Sequence, residues 1–207
     1  MEKTIIILLM LVSASMISYG QRNVRFGVMG GITRTITDSH DEEVVCINNK
    51  DMFHIRAFVD IALGNGFYLQ PGLQYIEKTG GIGMRSGDDI IYIAPRWTSN
   101  FIEIPVQIQW GKTFNKIKPY CFAEPFIGYN LNPKGQTNPM VGIVGPFEGG
   151  LGLGAGIELF KHVQISARYS WNFGHLFKAD YREVGKGGPL VDKATTACLM
   201  FSGAVVF

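Results

Sequence analysis

The groups best equipped for chemistry in this 207-residue chain are its imidazoles, thiols and charges, and their spacing forms no recognisable reaction centre. Four histidines and three cysteines are present. His175 stands nearest to a usable nucleophile, with Ser170 before it and Asp180 after it. No local motif joins the three into the mutually hydrogen-bonded set that nucleophilic catalysis requires. His54 lies two residues from Arg56 and fits a packed polar interior, while His162 fits a solvated turn. The run Asp38, Ser39, His40, Asp41, Glu42, Glu43 offers hard oxygen ligands. It lacks the glycine and the ligand spacing of a dedicated calcium loop, and so reads as a solvated acidic loop. Neither a catalytic residue, a cofactor nor a metal is expected. What remains is a set of charges of both signs: Arg25, Arg56, Asp60, Glu103, Glu124, Glu158 and Arg168. Their chemistry is mutual pairing, and the question is which elements bring them together.

The elements follow from a period of two. In residues 100–110, Ile102, Ile104, Val106, Ile108 and Trp110 share one parity, while Glu103, Gln107 and Gln109 share the other. In a strand these are opposite faces; on a helix the same apolar residues would be spread around the axis. Seven more segments read similarly, near 24–34, 53–63, 67–78, 119–131, 147–160, 162–173 and 195–207. Their lengths suit tilted strands that cross a hydrocarbon layer. Gly64-Asn65-Gly66 and Lys161-His162 read as tight turns, and residues 111–118 as a modest one. The gaps 35–52, 79–99, 132–146 and 174–194 are long. Short and long alternate along the chain, as they do in an up-and-down membrane barrel with short periplasmic turns and long extracellular loops. The expected fold is therefore all-β, an eight-stranded antiparallel up-and-down transmembrane β-barrel with both termini on the periplasmic side.

Parity alone leaves the orientation of the faces open, since a soluble lipocalin-like barrel would turn its apolar face inward. Three features favour the inverted arrangement. The polar face is poor in lysine, and Gly150, Gly152, Gly154 and Gly156 share the parity of Glu148 and Glu158; glycine suits a narrow interior. The apolar face carries Tyr75, Trp110, Tyr129, Tyr169, Trp171 and Phe173 near strand ends, where amphipathic rings meet the membrane boundary. The seven charges named above fall inward, where they must pair and hydrogen-bond. Cys121 and Cys198 take opposite parities, so no bond between them is expected. Pro71, Pro105 and Pro125 each remove a ladder donor and are expected at bulges.

Composition agrees. Charged residues make up 17% of the chain and hydrophobic ones 46%, which is lean in charge for a soluble surface. A net charge of +2 gives no footprint for nucleic acid. Lys3, the apolar stretch from Ile5 to Val12, and Ser18-Tyr19-Gly20 have the layout of a secretory signal peptide. The expected division is residues 1–20 as leader and 21–207 as the barrel domain.

Asn100-Phe101-Ile102-Glu103-Ile104-Pro105-Val106 resembles the Glu-Ile-Pro strand of the PorT-like outer-membrane β-barrel domain family. Phe67 to Tyr75 followed by Lys78 resembles that family's preceding strand, and Gly152 to Leu159 with Ala167-Arg168-Tyr169 its glycine-rich hairpin. The resemblance implies an outer-membrane location in a Gram-negative cell and no particular reaction. It also implies that the terminal Phe207 serves as the signal read by the barrel-assembly machinery. The function expected is non-enzymatic: a structural or surface-interaction barrel with a salt-bridged, largely plugged interior, embedded in outer-membrane lipid. The gaps 35–52, 79–99, 132–146 and 174–194 would meet an extracellular ligand. A small passive channel and, at greater distance, a lipid-modifying enzyme are the alternatives.

Overall fold

The computed structural model describes residues 24–39, 44–46, 51–86, 89–131, 142–143, 147–173, 177–179 and 191–207. Eight strands carry the architecture: β1 (Val24–Ser39), β2 (Asp51–Gly64), β3 (Phe67–Ser86), β4 (Asp89–Gly111), β5 (Ile117–Asn130), β6 (Phe147–Leu159), β7 (Val163–Asn172) and β8 (Val191–Val206). Each pairs antiparallel with the next. β8 returns to β1 from Gly27↔Val206 to Ser39↔Ala194, which closes the cylinder and removes its free edge over that height. Three short segments add to one end. Val44–Cys46 pairs with β3, and Phe177–Ala179 pairs with both β8 and Gly142–Ile143.

The alternation read from the sequence sets the faces. Phe26, Ile55, Ile104, Ile127 and Trp110 are exposed on the outside, whereas Gln70, Gln109 and Glu124 have no accessible surface at all. Water-soluble proteins do the reverse. Among the described residues the aliphatic side chains cover the cylinder and the ionic ones fill it, as a bilayer solvent requires.

The tight turns sit together at one end, called here the tight-turn end. Asn65 (φ 53) and Gly66 (φ 84) give consecutive left-handed residues, the geometry that matches strand twist in a two-residue hairpin. Gly66 also has no room for a side chain, because a Cβ there would lie 2.7 Å from the carbonyl oxygen of Gly111.

Two expectations need correction. The gap 79–99 is not a long loop: β3 and β4 remain paired from Thr79↔Thr98 to Ser86↔Asp89. Gly80-Gly81 and Pro95 look like loop punctuation, but register shifts after Gly80 and Ile82 absorb the irregularity within the ladder. The gaps 35–52 and 174–194 are likewise trimmed, by β1 running to Ser39, by β2 starting at Asp51 and by β8 starting at Val191. Second, Pro71, Pro105 and Pro125 do not sit at bulges. The register on both sides of each is unchanged, for example Pro125↔Leu151 within an unbroken run on β6. A residue in an antiparallel ladder donates to one neighbour only, so a proline costs one bond without displacing the strand. The leader 1–20, the acidic run from His40 to Glu43, His175, Asp180 and most of 132–146 lie outside the described residues.

Candidate functional site

Among the described residues, chemistry-bearing side chains converge in the lumen, in three tiers. Nearest the tight turns, Arg25 on β1 donates to Asp60 Oδ2 (2.5 Å) and Glu158 Oε2 (2.9 Å). Its other nitrogen donates to the Lys161 carbonyl (2.7 Å). Lys118 Nζ lies 3.0 Å from the same Glu158 oxygen. Gln70 Nε2 donates to Asp60 (3.0 Å) and reaches Gln164 Oε1 at 3.5 Å. Gln70 is on β3 and Gln164 on β7, four places apart in a ring of eight, so these side chains meet from opposite walls.

In the middle tier Arg56 grips Glu124 with both terminal nitrogens, at 2.7 and 2.8 Å. The planar guanidinium matches a carboxylate in this two-bond mode. Arg56 also donates to Gln74 Oε1 (2.9 and 2.7 Å), and Arg168 approaches the same Glu124 carboxylate from β7. Arg56 and Glu124 stand on β2 and β5, three strands apart, so their bond spans most of the lumen's width. Toward the other end, Lys78 Nζ sits between Glu103 Oε1 (2.8 Å) and Glu148 Oε1 (2.5 Å) and lies 4.8 Å from the Phe101 ring centroid. Gln74 Nε2 donates to Glu103 (2.9 Å), tying this tier to the middle one.

The tiers balance. The inward cations among the described side chains are Arg25, Arg56, Lys78, Lys118 and Arg168; the anions are Asp60, Glu103, Glu124, Glu148 and Glu158. The middle tier has one cation more than its anions and the Lys78 tier one anion more than its cations. Gln74 relays between them. A neutral total matters because a surplus buried charge would be far more costly than any one pair is favourable.

The glycines of β6 are explained by what faces them on β5. Tyr120↔Gly156, Phe122↔Gly154, Glu124↔Gly152 and Phe126↔Gly150 are partners in the ladder. The rings of Tyr120, Phe122 and Phe126 occupy the volume where side chains on those glycines would stand, and Arg168 Cδ would lie 2.9 Å from a Cβ on Gly152. Aromatic bulk on one strand and glycine on the next interdigitate inside the cylinder.

All seven charges singled out from the sequence point inward. Arg25, Asp60 and Glu158 meet one another, as do Arg56, Glu124 and Arg168; Glu103 joins Lys78 and Glu148 instead. Lys78, Lys118 and Glu148 were absent from the expected set. Lys118 lies just before the segment 119–131 assigned from periodicity, whereas Lys78 closes the segment 67–78 and shares the parity of Gln70 and Gln74. His54 is buried, with Nδ1 2.9 Å from Thr33 Oγ1 and Nε2 2.9 Å from Ser202 Oγ. Ser170 is buried and donates weakly to the Cys198 carbonyl at 3.4 Å. Cys121 is exposed and Cys198 buried, on opposite faces and unbonded. Phe207 follows β8 at the tight-turn end, its amide donating to the Phe26 carbonyl (2.8 Å) and its ring exposed.

The sequence matches the family model described as outer membrane protein beta-barrel domain over residues 13–178. The chain belongs to this family. Membership of the outer membrane protein beta-barrel domain family places it in the outer membrane as a β-barrel. Solved structures with a similar fold include Neisserial surface protein A, at 14% identity and TM-score 0.45, covering 88% of this chain and 97% of that one. Ail, the attachment invasion locus protein of Yersinia pestis in complex with the heparin analogue sucrose octasulfate, is similar at 10% identity and TM-score 0.45, covering 89% and 99%. AlkL in DMPC lipid bilayers is similar at 9% identity and TM-score 0.47, covering 91% and 92%. No curated protein matches the sequence.

Proposed function

We propose that this family member is a non-enzymatic outer-membrane barrel whose sealed interior is a scaffold for surface interaction. The observation that carries the reading is contact between opposite walls. Arg56 to Glu124, Lys78 to Glu148 and Gln70 to Gln164 all cross the lumen, and the described ionic groups there sum to zero. A cylinder of eight strands is narrow enough for side chains to fill. Paired charges present no surplus to draw an ion through, and the side chains that cross the lumen narrow the path for its hydration shell. Outer-membrane lipid surrounds the apolar face, the barrel-assembly machinery reads the strand ending in Phe207, and the segments within 35–52, 79–99, 132–146 and 174–194 meet an extracellular ligand. Within the family, Asn100 to Val106 and Gly152 to Leu159 support placement with the PorT-like branch.

The competing reading is a narrow water-filled channel. Gln109 favours it: fully buried, its amide nitrogen and oxygen have no protein partner, so water is their natural partner. Planar-bilayer recording of the mature protein separates the two. The sealed barrel gives no steady current above the lipid baseline, and stable ohmic steps in the unmodified protein would end this reading.

A further inference from the structure

The tight-turn end carries a second feature, independent of the lumen. Two of its hairpins use the same backbone device with opposite residue choices. At Asn65-Gly66 the left-handed conformation falls on the two residues that adopt it most readily. At the β6–β7 turn it falls on Phe160 (φ 53) and Lys161 (φ 67). A bulky residue in this region is an outlier, and such strain persists where the surroundings hold it for a purpose. Turn conformation therefore does not explain why Phe160 and Lys161 stand there.

Their neighbours suggest what does. The Phe160 amide donates to the Lys116 carbonyl (2.8 Å), which joins this turn to the β4–β5 turn. Lys116 Nζ lies 5.8 Å from the Phe160 ring centroid, and Lys112 Nζ 6.0 Å from that of Phe114. Phe114 and Phe160 are both well exposed, as are Ile117, Trp110 and Phe207 at the same end. Residues 64–66, 112–116 and 160–162 contain three lysines and no acid. The carboxylate side chains on the adjoining strands, Asp60 and Glu158, face into the lumen and are engaged by Arg25 and Lys118. Lys112, Lys116 and Lys161 thus form a cationic arc edged by rings, with no carboxylate side chain within these three turns.

We propose that this arc binds the headgroups of anionic phospholipids in the leaflet at the tight-turn end. Charge complementarity selects the phosphate, the lysines supply donors that reach along a headgroup plane, and Phe114 and Phe160 anchor the turns at the acyl boundary. The proposal relies on the outer-membrane location but not on a sealed lumen, so conductance results leave it untouched.

The test uses the full mature protein reconstituted in phosphatidylcholine bilayers containing spin-labelled phosphatidylglycerol or spin-labelled phosphatidylcholine. The expected result is a two- to fourfold preference of the boundary shell for phosphatidylglycerol, abolished by 1 M salt and by the combined changes Lys112→Gln, Lys116→Gln and Lys161→Gln. Arginine at the three positions restores it. The double change Phe160→Asn, Lys161→Gly relaxes the turn, so it should raise the unfolding midpoint while weakening the preference, an opposition that a purely structural role for these residues does not produce. Equal association of the two lipids, or a preference that survives in the glutamine variant, overturns the proposal. Heat-modifiable migration on gels shows that each variant is a folded barrel.

Discussion

Arginine–carboxylate pairs occur in this barrel at the centre of the lumen, at its tight-turn mouth and on its outer rim, and they differ most in their surroundings. Arg56 and Glu124 are fully enclosed. Arg25 is a quarter exposed while its partner Asp60 is buried. Arg34 and Asp51 are both open to solvent, although their 2.7 Å bond equals the Arg56–Glu124 contact at the centre of the lumen. Distance therefore says little about what each pair contributes. Enclosure does: once water is gone, removing one partner leaves the other charge stranded. A pair in solvent is simply rehydrated.

That contrast can be broken by mutation, and the largest effect belongs at the centre. Glu124→Gln removes the carboxylate shared by Arg56 and Arg168 and strands both guanidiniums, so the loss should reach about 3–5 kcal/mol in urea unfolding of the lipid-reconstituted protein. Next comes the packing that encloses the charges. Gly154→Ala places a methyl group against the Phe122 ring and the Ala167 carbonyl, with an expected cost of about 2–3 kcal/mol by the same measurement. Arg25→Gln deprives Asp60 and Glu158 of a partner, yet Lys118 and water at the mouth remain, so about 1–2 kcal/mol is expected. Arg34→Ala on the rim should leave the unfolding midpoint unchanged. A rim variant as damaging as the Glu124 variant would remove enclosure as the deciding factor.

Most of the cylinder was legible from Glu103, Gln107 and Gln109 alternating with Ile102, Ile104 and Ile108, because a strand with two different solvents writes its faces directly into parity. Which charges meet was not legible. Parity fixes a side chain's face but not its height, so Glu103 could be assigned to the lumen without showing that Lys78 and Glu148, rather than Arg168, would hold it. Height comes from register, and register depends on bulges such as those near Gly80 and Ile82 that no local pattern announces. The glycines of β6 show the same limit. Their crowding was inferable from spacing, but its cause, the facing rings of Tyr120, Phe122 and Phe126, appears only once β5 and β6 are aligned.

The most direct test of desolvated pairing across the lumen is a double-mutant cycle on Arg56 and Glu124, using Arg56→Met, Glu124→Met and the combination in lipid-reconstituted protein. Enclosed pairing predicts that the double variant loses well under the sum of the single losses, with a coupling of about 2 kcal/mol or more. Losses that add to within about 0.5 kcal/mol would show the two charges already hydrated and independent, and the lumen open to water.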